Sequence, residues 1–144
     1  MADTLALEVV TPERLLVHED VSAVQAPAAN GYVGILPGHA PLLAELGTGF
    51  LNYEAGGIRW YLAVHNGYLE VLGDKVRVLA TAAERAEEID VERAKAAMKR
   101  AEEQMMNASL GVDPAVALSA IQRAQARLDA AAQKQPVEPR EARG

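Results

Sequence analysis

Cysteine is absent from all 144 residues, which excludes disulfides, thiolate metal sites and cysteine nucleophiles at once. This suits a reducing compartment. Aromatic residues are scarce, with one Trp, one Phe and four Tyr, so no base-stacking surface is expected. Positive charge is also short: 14 Lys and Arg face 20 Asp and Glu, a formal net charge of −6. Phosphate backbones and anionic lipids demand an excess of cations, so nucleic acid is not an expected partner. No apolar run approaches the roughly 20 residues that span a bilayer, so no direct membrane insertion is expected. The opening MADTLALEVV carries Asp3 and Glu8 and no early Lys or Arg, unlike a secretory signal. Any association with a membrane must then pass through a partner.

Chemical motifs are missing as well. The chain has no GxxxxGK[ST] and no GxGxxG, hence no Walker or Rossmann phosphate cradle. Ser22, Ser109 and Ser119 lack a GxSxG setting. The three histidines, His18, His39 and His65, show neither HxH nor HxxxH spacing, so no metal site is expected. Glu84, Glu87 and Glu88 could be paired carboxylates for acid–base work, or a solvated helix start favoured by the helix dipole. No cofactor and no catalytic residue is expected, and the chain does not read as an enzyme.

What is present falls into two halves with different periods. Up to residue 83, short β-rich runs alternate with turn residues. TLALEVVTP places Leu5, Leu7 and Val9 on one face of a strand. AANG, AGG, HNG and GD separate further apolar runs, and Asn-Gly and Gly-Asp accept positive φ cheaply, as hairpins require. His65 in HNG is therefore expected in a turn. Such spacing predicts an antiparallel β-sandwich or barrel over residues 1–83.

Beyond Ala83 the period becomes helical. Asp90 is placed to cap a first helix that runs toward Gly111, and Asp113-Pro114 opens a second that Pro136 stops. A short link predicts an antiparallel hairpin over 84–135, with a disordered tail over 136–144. Val91, Ala94, Met98, Ala101, Met105 and Ala108 step by threes and fours, as do Ala117, Ile121, Ala124, Leu128 and Ala131. That is a two-helix seam of period 3.5. It is filled mostly by alanine, and each buried methyl contributes only about 0.8 kcal/mol. The helices are intrinsically robust while their mutual contact is weak. The predicted class is thus α+β, an N-terminal antiparallel β-sandwich followed by a C-terminal two-helix antiparallel hairpin.

Four arginines stand out. Arg93 and Arg100 are seven apart on the first helix, and Arg123 and Arg127 four apart on the second. In a closed hairpin they could share one flank, which suits a polyphosphate because guanidinium forks bind phosphate oxygens bidentately. By spacing alone they suit better a solvated pairing with Glu87, Glu92, Glu102 and Glu103.

The stretch GYVGILPGHAPLLAELGTG, the order of sandwich then two helices, and IDVERA from Ile89 to Ala94 together resemble the ε subunit family of bacterial F-type ATP synthases. The resemblance spans the chain to residue 135, and IDVERA is similar to that family's I/L-D-x-x-R-A nucleotide motif. It implies a non-catalytic rotor subunit of the CF(1)-type central stalk, coupling hydrogen ion transport to ATP synthesis. The implied partners are the γ subunit and the c-ring. Tyr32, Gly38, His39 and Pro41 would lie at that interface, with Pro37 and Gly38 directing the chain and His39 shaping the turn. The implied place is the cytoplasmic face of the bacterial cell membrane, peripherally bound.

By the same resemblance the hairpin is a mobile arm, closed on the sandwich or extended toward the α/β subunits to inhibit ATP hydrolysis. ATP is implied as a regulatory ligand of the closed state, with Glu84, Ile89, Asp90, Arg93, Ala94, Arg100, Arg123 and Arg127 as its site. Two states separated by a few kcal/mol suit an alanine seam. A free-standing ATP-sensing module is the alternative that shares these residues.

Overall fold

A computed structural model describes residues 3–133 of the chain. Seven strands come first: β1 (Leu5–Val10), β2 (Leu15–Val21), β3 (Ala23–Ala28), β4 (Gly31–Ile35), β5 (Leu42–Ala55), β6 (Ile58–Leu72) and β7 (Lys75–Arg85). Helices α1 (Val91–Met106) and α2 (Pro114–Gln133) follow. The α+β reading holds, with sandwich before hairpin. The sheet itself continues past Ala83 to Arg85 and is followed by a 3-10 turn, Ala86–Glu88. The tail expected from Pro136 onward lies outside the described residues.

The strands form one sheet in the order β2-β1-β7-β6-β5-β3-β4. All neighbours are antiparallel except β1 and β7, which run parallel. Leu5, Leu7 and Val9 are fully buried, as their alternation predicts. The sheet folds over on itself to enclose the core. β2 and β5 are four places apart in it, yet the Tyr53 hydroxyl on β5 donates to Glu19 Oε1 on β2 at 3.1 Å. Arg85 at the end of β7 donates to Tyr53 Oη (3.0 Å) and to the Leu16 carbonyl (3.3 Å), completing a clasp across the two layers. Tyr53 is 1% exposed, and that burial pushes its phenol above the usual range, so it stays a donor.

HNG is not a turn between strands. β6 runs without interruption through His65, Asn66 and Gly67, where φ reaches 49° at Asn66 and 134° at Gly67. Before this kink Leu62 and Val64 face the core; after it Leu69 and Val71 do. The inward set has slipped by one residue. The same slip occurs on β5, from Leu46 to Leu51 and Tyr53, and on β7, from Ala80 to Ala83. Three strands thus turn a corner together, and positive φ serves to bend rather than reverse the chain.

The hairpin keeps most of its expected signals. Asp90 caps α1, its Oδ1 accepting the Arg93 amide at 3.1 Å. Asp113 accepts the Ala115 amide at 2.8 Å with Pro114 at the first helical position. However, α1 stops at Met106. Asn107 Oδ1 accepts from both the amide and the hydroxyl of Ser109, offering the backbone an alternative to another helical turn. Ala108 is consequently exposed and outside the seam, a correction to the spacing argument. Ala94, Ala101, Ala117 and Ala124 are buried in the seam, each no more than 2% exposed.

A second apolar stripe was not anticipated. Ala126 and Ala130 of α2 pack on Ala63, Phe50 and Tyr61 of the sheet, with Ala86 and Ile89 closing the cluster. α2 therefore lies between the outer face of β5 and β6 and helix α1. The arm is closed on the sandwich.

Candidate functional site

Along α2, the residues Arg123, Ala126, Arg127 and Ala130 follow helical spacing and share the face turned to the sheet. On this face the two arginines alternate with the two alanines. Where the apolar contact ends, the helix stands away from the sheet and leaves a cleft of about 290 Å³. Opposite α2, its walls come from three segments. The β1–β2 connection supplies Thr11, Glu13 and Arg14, and β6 supplies Ala63, Val64 and His65. Strand β7 adds Ala82, Ala83 and Glu84 opposite the two arginines.

Arg127 Nε lies 3.0 Å from Glu84 Oε1, an ion pair that joins arm to sandwich. Arg14 is held by Glu88, also at 3.0 Å. Arg123 instead donates to Ser119 Oγ in its own helix (3.1 Å), and among the described residues it has no carboxylate partner. His65 Nδ1 lies 2.7 Å from Thr48 Oγ1. Partial burial, with the Arg123 charge as the lesser cause, holds the His65 imidazole below its usual pKa.

Of the residues expected to bind ATP, the fold brings Glu84, Arg123 and Arg127 together at this cleft. Ile89 is buried beneath α2, and Ala94 in the seam. Asp90 is engaged as the α1 cap. Arg93 and Arg100 are exposed on α1 and do not line the cleft. Thr11, Arg14 and His65 do line it without having been expected there. Their only sequence signal is local turn chemistry, which says nothing about what they face. Among the described residues no group of three His, Cys, Asp or Glu could hold a metal ion.

Two family models match this order of elements. Residues 4–86 match the ATP synthase delta/epsilon chain β-sandwich domain, and residues 87–132 its long α-helix domain. The chain belongs to the ATP synthase delta/epsilon chain family. The ATP synthase epsilon chain of Solibacter usitatus (strain Ellin6076) is 61% identical over 134 residues, covering 93% of this chain and 100% of that one. That of Koribacter versatilis (strain Ellin345) is 54% identical over 105 residues, covering 73% and 74%. Among solved structures, a chain of the Euglena gracilis mitochondrial ATP synthase (OSCP/F1/c-ring, rotational state 1) is similar with TM-score 0.74 and 25% identity, covering 92% of this chain and 84% of that one. A delta/epsilon chain is a regulatory stalk subunit of the synthase complex and not its catalytic one.

The delta/epsilon chain residues expected at the stalk interface occupy two places. In the β4–β5 loop, Leu36-Pro37-Gly38-His39 forms a tight turn: the His39 amide donates to the Leu36 carbonyl at 3.1 Å, with φ of 89° at Gly38. Proline then glycine at the two central positions is the pattern of a type II turn. His39 Nδ1 lies 2.6 Å from the Ala40 carbonyl, so this histidine serves its own turn. Pro41 follows, exposed, and Leu36 and Leu43 on either side are 62% and 73% exposed. Tyr32 sits elsewhere. Its hydroxyl accepts the Phe50 amide at 3.2 Å, and its ring packs on Phe50, which in turn packs on Tyr61 beneath α2.

Proposed function

We propose that this delta/epsilon chain is a central-stalk rotor subunit whose sandwich docks on the γ subunit and the c-ring, and whose arm brakes ATP hydrolysis when it leaves the sandwich. The docked sandwich would couple ion translocation to ATP synthesis from the cytoplasmic face of the membrane. No described helix is long and apolar enough to cross a bilayer, so attachment would come through those partners.

The carrying observation is the joint between α2 and the sheet. On the α2 side it consists of alanine methyls, worth about 0.8 kcal/mol each, set on Ala63, Phe50, Tyr61 and Ile89, and one half-exposed ion pair, Arg127 to Glu84, worth at most about 1 kcal/mol. A contact so small can be exchanged for another at little cost, which a two-position arm requires. ATP would favour the closed position by spanning the cleft, since a ligand shifts an equilibrium by its differential affinity for the two states. Glu84, Arg123 and Arg127 would be its first contacts. Arg93 and Arg100 would join from α1 only if its flank turned toward the nucleotide.

An isolated ATP sensor would leave one feature unexplained. Tyr68 on β6 and Leu79 on β7 face each other across the ladder and are about half exposed, with Leu43 and Leu72 nearby and more so. An apolar stripe of that kind suits a docking surface.

Two measurements test the reading. In an assembly of catalytic and γ subunits, ending this chain after Glu88 should raise ATP hydrolysis several-fold, whereas an unchanged rate would mean the arm is no brake. Calorimetric titration of the whole chain with ATP should show Arg127→Ala weakening binding about tenfold or more, as expected for a lost charge-assisted hydrogen bond. Equal heats would remove the site.

A further inference from the structure

Among the described residues that line the cleft, His65 is the only histidine, the side chain whose charge can change near neutral pH. The hydrogen bonds around it decide where a second proton must go. The Thr48 hydroxyl donates to Asn66 Oδ1 at 3.3 Å and so accepts from His65 Nδ1 at 2.7 Å. Nε2 is left as the basic nitrogen, with the Asn66 amide 3.4 Å away. The other charges around the cleft are largely matched in pairs, Arg127 with Glu84 and Arg14 with Glu88, with Glu13 at the rim. Arg123 on α2 is the unmatched cation opposite the imidazole.

We infer that His65 is a further ligand of this cleft, holding an ATP phosphate as the imidazolium and taking up its second proton from solvent as the nucleotide enters. This rests on the nucleotide site proposed above. A phosphate between Arg123 and His65 reverses the electrostatics. It cancels the repulsion from the guanidinium and accepts a hydrogen bond that only the charged ring can give in full. Burial and Arg123 now hold the ring neutral, so its pKa rises on binding.

The sign of the pH dependence follows. A pKa raised in the bound state strengthens binding fully below the free-chain value and loses that gain as pH rises through the bound value. Between the two, affinity changes by up to about tenfold per pH unit. The charged groups facing the ring around the cleft are Glu13 and Arg14 from the β1–β2 connection, Glu84 from β7, and Arg123 and Arg127 from α2.

The test uses the whole chain and ATP. Calorimetry near neutral pH, in two buffers of different ionisation enthalpy, counts protons taken up per ATP bound. ATP's own terminal phosphate titrates in the same range, so His65→Gln, which keeps a partner for Thr48 but cannot be charged, serves as reference. The unmodified chain should take up more protons than H65Q, by a fraction approaching about one. In proton–carbon NMR spectra, the His65 ring should titrate at higher pH with ATP present than without it. Equal proton uptake by the two proteins, with ATP still bound, overturns the role of His65 and leaves the nucleotide site standing. No binding to either protein removes the site and this inference with it.

Discussion

Gly67→Ala is expected to destabilise the sandwich by about 3 kcal/mol or more. Gly67 has φ of 134°, a region L side chains rarely adopt. A Cβ there would overlap the Leu79 carbonyl oxygen and stand 3.0 Å from Ala80 Cα on β7. All of these obstructing atoms are backbone, so relief requires moving β7 itself. That strand also carries Arg85 of the clasp and Glu84 of the cleft, so the damage reaches the arm as well. Gly73→Ala is the control. Its φ of 61° is also positive, but a Cβ there meets nothing within 4 Å, so only the left-handed backbone cost of about 1 kcal/mol applies. Urea unfolding at unchanged slope should separate the two midpoints clearly. Similar midpoints would mean that β6 does not bend as described.

Ala130→Glu is expected to free the arm and leave the sandwich folded. Ala130 has no exposed surface and packs in the cluster of Ala63, Ala86, Ile89 and Ala126. A carboxylate at that position would be buried without a cation, a penalty of several kcal/mol that exceeds what a few methyls contribute. At about 3 kcal/mol the docked fraction falls more than a hundredfold relative to the undocked one. The alanine-rich helix itself survives, since its propensity does not depend on the sheet. Hydrogen exchange should therefore lose protection along α2's docking to the sheet and at Ala86–Ile89, while β1, β5 and β6 keep theirs. Ala132→Glu, at an exposed position of the same helix, should change nothing. If protection at Ala86–Ile89 survives in Ala130→Glu, the arm is held by something other than this cluster.

Both predictions fall where reading the chain alone goes astray. Leu5, Leu7 and Val9 announce a half-buried strand, and AANG and AGG announce hairpins that the fold contains, Ala28 opposite Gly31 and Ala55 opposite Ile58. HNG carries the same local signal and does something else. Asn-Gly marks willingness to adopt positive φ, but whether the chain then reverses depends on its neighbours. Here β5 and β7 continue alongside β6 on both sides of the kink, so it bends. The alanine seam was legible from its spacing. The second stripe, Ala126 and Ala130, was hidden because alanine marks no face as apolar strongly enough to stand out from a helix built largely of it.

The sequence by itself determined the class of the protein, the order of sandwich and hairpin, the helix caps at Asp90 and Asp113, and the arginines of α2. These depend on periodicity and on local hydrogen bonding, which neighbouring residues settle between themselves. Only the tertiary structure decided that β1 lies parallel to β7, that three strands turn one corner together, and that Thr11, Arg14 and His65 meet Glu84, Arg123 and Arg127 across a cleft. Those groups come from widely separated parts of the chain, and nothing local to any of them encodes which side of the sheet α2 will cover. That is decided by where the apolar faces can all be buried at once.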